Sequence, residues 1–396
     1  MISSARAAYN KDFTESKYEA FIADIDSMYN HKVTFRVAET PVFVGRDFKE
    51  KLVKASNDII DFLTKEDVVK LTEGAIPAHL VVPNETDHTL FLALDFAVVK
   101  ENGQLEPKLI EMQGFPSLFG WQDVIADKYR QHFAVPPDLE SHFGLSSKAY
   151  REKLQKVLLN GHKPEHVILL EIDPLMQNTA IDFLVTRDFT GIEPVHIGDI
   201  IREDKKLFYE KDGTRIHIKR IYNRVIFDEL LKRSDLKLSY DLTDNVDVEW
   251  AGHPNWFYRI SKYTMPLIKS KYIPECKFLS DYVEFPKDLE NYVLKPLFSF
   301  SGSGVIFNVT ENDLTTIPKD QRHEFMLQRK VEYEPVVQAP DGMVKIEIRL
   351  LFIWEDGEVR PQLITNLVRL SRGEMIGVKF NQNKTWVGGS VGFFEA

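Results

Sequence analysis

The chain has 396 residues, with 50 Lys+Arg against 60 Asp+Glu and a formal net charge of −10. That balance excludes the net basic footprint of a general nucleic-acid binder, and the ordinary apolar and charged fractions exclude a disordered chain. A lone cysteine, Cys276, excludes an internal disulfide and Cys-based structural zinc.

The start of the chain carries no apolar run of signal-peptide length, and no stretch reaches the ~18 uninterrupted apolar residues of a membrane span. The expectation is a soluble, cytoplasmic protein with neither nucleic acid nor membrane as partner. At roughly 100–200 residues per domain, two or three domains are expected.

In chain order, the first ~75 residues read as mostly helical, with apolar side chains at helical spacing over 47–64. Residues 90–99 (LFLALDFAVV) form an apolar run with Asp95 inside it, and 109–112 form a second run beyond a turn. The pair predicts two joined strands. A helix is predicted over 121–132, and VPPDLE at 135–140 marks a boundary. Then come a helix (147–159), a buried strand (166–172), a helix (178–185), a short strand (194–196) and a hairpin at 211–214. A strand (217–222), a helix (227–233) and a helical stretch (256–269) follow. This alternation predicts a doubly wound α/β unit. The last third alternates strand and turn, with strands over 293–294, from 304 to 309, and over 325–331, 345–354 and 359–370.

Three groups of residues could carry chemistry. In YVLKPLFSFSGSGV (292–305) a strand delivers Lys295 into a small-residue loop holding Ser301, Gly302, Ser303 and Gly304. Glycines let backbone N–H groups approach a phosphate, and the lysine adds a point charge. The plainer alternative is a hairpin turn with a solvated lysine. Upstream, Glu111 and Gln113 share a strand face, and Asp95 on the adjoining strand can meet them. Two carboxylates and an amide oxygen suit Mg²⁺ on nucleotide phosphates. The alternative is a solvated strand edge. Near the C-terminus, Arg349 alternates with Glu347 in one strand and Arg369 follows in another. Arginines can neutralise a transferring phosphoryl group, and an exposed sheet face of mixed charge is the alternative.

Two strand ends in the middle unit offer ligand contacts. Asn178 lies in EIDPLMQNTAIDF, and Arg224 in RIYNRVIFDEL. Open α/β sheets bind ligands at such carboxyl ends, and Arg224 could hold a substrate carboxylate bidentately. A helix cap and a structural ion pair are the alternatives. No histidine spacing points to a metal site.

These residues resemble the ATP-grasp superfamily. Residues 271–305 look like the family's approach to its phosphate lysine and glycine loop. FMLQRKV (325–331) looks like the hinge that binds adenine through its backbone, which implies Gln328, Arg329, Lys330 and Val331, with Glu332 or Glu334 on the ribose. The Asp95…Glu111-Met-Gln113 piece precedes the lysine. That order resembles the circularly permuted, glutathionylspermidine synthase-like ligases. Gln113 stands where those carry Asn, and the strand before Asp95 lacks their arginine.

The resemblance implies an α/β (α+β), circularly permuted ATP-grasp fold with a Rossmann-like pre-grasp unit. The expected division is an N-terminal helical segment with the metal-binding strands (1–134), a pre-grasp acceptor unit (135–265) and a nucleotide-binding unit (266–396). It implies ATP and Mg²⁺ as cofactors, with Asp95, Glu111 and Gln113 on the metal and Arg369 or Arg349 stabilising an acyl phosphate. The implied activity joins a small-molecule or peptide carboxylate to an amine. A catalytically degenerate nucleotide-binding or regulatory protein, and a non-nucleotide, carbohydrate-related α/β protein, remain as alternatives. The last needs Lys295 and the acidic strand to lie far apart.

Overall fold

The computed structural model describes residues 1–298, 304–373, 376 and 381–396. Its largest sheet has six strands. Phe91–Glu101 pairs antiparallel with Gln104–Gln113 on one side and with Gly342–Ile353 on the other. Gln362–Ser371 and Gly388–Ser390 extend the sheet outward, and Pro335–Ala339 pairs with the start of Gly342–Ile353. Strands from the first and last thirds of the chain therefore lie side by side.

Side chains alternate across this sheet. Leu94, Phe96, Met112, Ile348 and Val368 face the largest core, which the helix Arg46–Leu63 joins through Leu52 and Ile59. Ala93, Leu351, Ile353 and Leu367 face a second core, shared with Val167, Leu169, Tyr150 and Tyr222. The two-residue period puts Asp95, Glu347, Arg349 and Arg369 on this second face, beyond its apolar end.

The middle of the chain forms a four-stranded parallel sheet in the order Glu249–Ala251, Arg220–Asn223, Val167–Glu171, Glu193–His196. The helices Ser147–Leu159 and Ala180–Thr190 pack against each other beside it. The parallel α/β unit matches expectation, but the doubly wound arrangement does not. Both helices cover one face, with Val167, Leu169 and Tyr222. On the other face Ile168, Leu170 and Ile221 pack on the antiparallel strands that hold Leu207, Tyr209 and Ile218. The unit's chain order reverses between Val167–Glu171 and Arg220–Asn223, the switch point at which such sheets take ligands.

A third sheet of three antiparallel strands, Cys276–Phe278, Phe325–Arg329 and Tyr292–Pro296, carries Lys295. Met326 joins the largest core from one face, and Leu294 and Leu327 close a small core on the other.

Several elements differ from expectation. The predicted strand 217–222 is two strands in two sheets, Thr214–Ile218 and Arg220–Asn223, parted at Lys219. The predicted helix over 256–269 is a short helix, Asn255–Arg259, followed by the 3₁₀ segment Lys262–Leu267 with Pro266 inside; proline cannot continue an α-helix. The expected strand leaving the glycine loop is a single bridge between Leu294 and Ile306. The expected strand 359–370 begins at Gln362. The expected boundary at 135–140 is pinned, because Leu139–Glu140 pairs with the C-terminal strand Gly392–Glu395. That strand also pairs with Val42–Val44, which the mostly helical N-terminal reading lacks.

Candidate active site

The site forms where the Lys295 sheet meets the charged end of the six-stranded sheet. Glu111 sits directly opposite Asp95, and the register then skips Ile110. Such a bulge leaves its extra residue unpaired and re-aims its neighbours. The Lys295 ammonium lies 3.4 Å from the freed Ile110 carbonyl. Lys262 closes on Glu111 from another side, at 3.2 Å. Its 3₁₀ segment is fixed by a reciprocal cap between Ser261 and Thr264.

Charge neutralisation here is dense. Asp95 is fully buried, and Arg349 grips both of its oxygens at 2.7 Å. Arg369 adds a contact to Asp95 at 2.9 Å and a second to Glu347. Tyr333 donates to the other Glu347 oxygen at 2.7 Å. Burial would raise the Glu111 carboxyl, but Lys262, Arg349, Arg369 and Lys295 together hold it below its ordinary range. Burial pushes the Lys295 ammonium down to about 8, with Glu111 opposing and Lys262 adding to the fall. Burial alone would lower the Arg369 pKa, but Glu347 and Asp95 outweigh it and raise that pKa.

Asp95, expected on a metal, has both oxygens engaged here, by Arg349 and by Arg369. Among the described residues no group of three His, Cys, Asp or Glu is arranged to hold a metal ion. Glu111 and Gln113, one strand period apart and both half-buried, keep oxygens toward the same face. Mg²⁺ commonly uses one or two protein oxygens and completes its shell from water and phosphate, so this smaller pair fits it. Lys262 and Tyr333 went unnoticed in the sequence. Neither sits in a distinctive spacing, and only the packing brings them to Glu111 and Glu347.

The other expected residues fall as follows. Gln328 is 2% exposed, and its carboxamide Nε2 has no hydrogen-bond partner among the described residues. Arg329 is exposed, near Asp288 and the Tyr292 hydroxyl, and its N–H donates to Glu275. The Lys330 N–H donates to the Asn291 carbonyl, and Val331 is half-buried. The Glu334 N–H donates to Val98, and its carboxylate meets Lys100. Gly304 has φ +70°, and a Cβ there would come 2.9 Å from the Pro296 ring. Ser301, Gly302 and Ser303 lie outside the described residues. Arg224 donates to the Pro116 carbonyl at 2.8 Å and lies over the Phe115 ring, at the loop that leaves Gln113. Asn178 is exposed and accepts from the Thr34 hydroxyl.

A glutathione synthetase-like effector from Globodera pallida, solved in its apo form, superposes on this chain with a TM-score of 0.58, at 11% identity, over 96% of both chains. The chain has an ATP-grasp-type fold. Its mixed α/β sheets match that neighbour from end to end. No protein-family model matches the chain. No curated protein matches it either. The likeness is one of fold, and at this identity it leaves the ATP-grasp side chains to be argued from their own geometry. No described helix is long and apolar enough to cross a membrane.

Proposed function

We propose that the chain is an ATP-dependent carboxylate–amine ligase, working through an acyl phosphate in a cytoplasmic setting. The observation that supports it best is Lys295 against the Ile110 bulge, beside Glu111. It joins the lysine strand to the acidic strand, 185 positions apart.

Lys295 and Lys262 would meet the phosphates, and the 328–331 segment the base. Arg369, anchored by Asp95 and Glu347, would offer its remaining edge to charge building on the transferring phosphoryl group. Glu111 and Gln113 would hold Mg²⁺ carried in on the phosphates, where it neutralises charge. The acceptor would enter at the carboxyl ends of the parallel sheet, near Arg224. The three-part division at about 134 and 265 belongs to this reading.

Titration with a non-hydrolysable ATP analogue, with and without Mg²⁺, tests it. Binding lost in both Lys295→Ala and Glu111→Ala supports one composite site. No binding to the unmutated protein overturns the proposal. A second reading, a nucleotide-binding protein without turnover, is favoured by the closed Arg349–Asp95–Arg369 network. It predicts analogue binding with no phosphate release from ATP in the presence of pooled acids and amines.

A further inference from the structure

Three apolar side chains stand out in solvent at the carboxyl end of the parallel sheet. Leu175 is 55% exposed, Met176 84% and Leu231 64%. Exposed apolar residues scattered singly are ordinary. These three are held together. Val167–Glu171 runs into the loop that carries Leu175 and Met176. The adjoining parallel strand Arg220–Asn223 runs into Arg224 and the short helix before Leu231, so both loops leave the same end of the sheet. Arg233 donates to Asp173 at 2.7 Å, and Gln177 donates to Glu229 at 3.0 Å. Leu175 and Met176 lie between residues 173 and 177, and Leu231 lies between 229 and 233. The two links therefore set Leu175 and Met176 across from Leu231, as one apolar lip.

The lip is pinned from several sides. Asp173 takes a left-handed backbone with φ +44°, uncommon away from glycine. Its N–H donates to His196 Nδ1 at 2.9 Å, and Gln177 also donates to the Ile172 carbonyl at 2.8 Å. Glu171 ends the strand that feeds the lip, within reach of the charges of both Arg224 and Glu229. Burial pushes its carboxyl up to about 8, so it is uncharged near pH 7. Arg224 stands at the same end of the sheet, and its Nε finds no acceptor among the described residues. A standard protein interface takes about 20–30 residues a side, far more than these three. A small molecule with a carboxylate for the guanidinium and an apolar chain for the lip matches both features.

We propose that the acceptor substrate is an amino acid with a large apolar side chain, its carboxylate on Arg224 and its side chain on the lip of Leu175, Met176 and Leu231. The inference rests on the ligase reading and names the class of acceptor that this reading leaves open. Covering such a lip gives roughly tenfold preference over an amino acid with no side chain.

Calorimetry tests it by titrating leucine and glycine into the full chain saturated with a non-hydrolysable ATP analogue and Mg²⁺. The titrations are repeated on Met176→Ser/Leu231→Ser and on Leu175→Ser/Met176→Ser, whose altered side chains are all exposed. The unmutated protein is expected to bind leucine about tenfold tighter than glycine. In both double variants the ratio should fall toward one, through weaker leucine binding alone. Arg224→Gln should weaken both amino acids alike. Equal affinities in the unmutated protein overturn the proposal. So does a ratio that both double variants leave unchanged, or full leucine binding by Arg224→Gln. Self-association of the unmutated protein in sedimentation, lost in both double variants, would assign the lip to a second copy of the chain and overturn it as well. If the ATP analogue binds and neither amino acid does, only the acceptor proposal falls. If the analogue itself does not bind, the ligase reading falls.

Discussion

Arg349 grips Asp95 through two parallel hydrogen bonds of 2.7 Å, although 254 positions separate them in the chain. The contact is a cross-strand pair, since the two residues sit directly opposite in adjacent antiparallel strands. Bidentate geometry and full burial of the carboxylate make it the fixed centre of the charged face.

That pair should behave as a buried salt bridge. Asp95→Asn leaves Arg349 and Arg369 facing each other with no carboxylate between them, and should cost about 3–5 kcal/mol of stability. The double variant Asp95→Leu/Arg349→Met should cost much less than the two single changes summed. Urea denaturation of the four proteins measures the coupling. Additive losses would mean that the two groups do not depend on each other.

Lys295 sets a proton linkage on nucleotide binding. With its ammonium pushed down to about 8, part of the free protein is neutral there just above that pH. A bound triphosphate favours the charged form, so binding at about pH 8.5 should take up a fraction of a proton. Calorimetry in two buffers of different ionisation heat reads this directly. Lys295→Arg should remove the uptake, because a guanidinium stays charged throughout. The same uptake in that variant would assign the proton elsewhere.

Glu171 ends a central parallel strand and is almost fully buried, and burial pushes its carboxyl up to about 8. The backbone N–H of Ile172 and the charge of Arg224 only partly oppose this. An acid raised in the folded state keeps its proton there after the unfolded chain has released it. Its contribution is therefore fully present below about 4.5 and is lost as pH rises toward about 8. Glu171→Gln should match the unmutated protein at low pH and exceed it at pH 8, by at most about 4 kcal/mol. Denaturant midpoints across this range decide it, and a constant difference would show that Glu171 does not titrate there.

Gly114 joins the Gln113 strand to the Arg224 loop, and its N–H donates to the Ile260 carbonyl at 2.8 Å. A Cβ there would lie 2.4 Å from the Trp256 carbonyl oxygen and 2.9 Å from the Ile260 Cβ. Both neighbours are held in packed elements. Gly114→Ala should therefore cost several kcal/mol by the overpacking route and lower the affinity for an ATP analogue through the displaced strand end. A melting temperature within about a degree of the unmutated protein would show that the loop yields freely.

Much of this architecture was legible in local pattern. The helix Ser147–Leu159 matches its expected bounds, because a serine cap and apolar spacing speak together. The Asp95 and Glu111 strands were legible because apolar runs bracket a turn. The stretch 256–269 was not, because its apolar periodicity favoured a helix and Pro266 forbade one. The strand Val42–Val44 was invisible, since its partner Gly392–Glu395 lies at the far end of the chain.

The sequence by itself determined the kinds of chemistry available. It supplied a lysine before a glycine loop, oxygens alternating on one strand and an arginine on each of two later strands, since strand period and residue type are local properties. The tertiary structure decided which of those groups meet. Whether Asp95 holds a metal or two guanidinium groups depends on which strand lies opposite, and that strand comes from more than 250 residues away. Lys262 and Tyr333 joined the charged face for the same reason. Burial then set the proton affinities of Lys295 and Glu171, because desolvation is a property of the packed interior and is written in no short stretch of sequence.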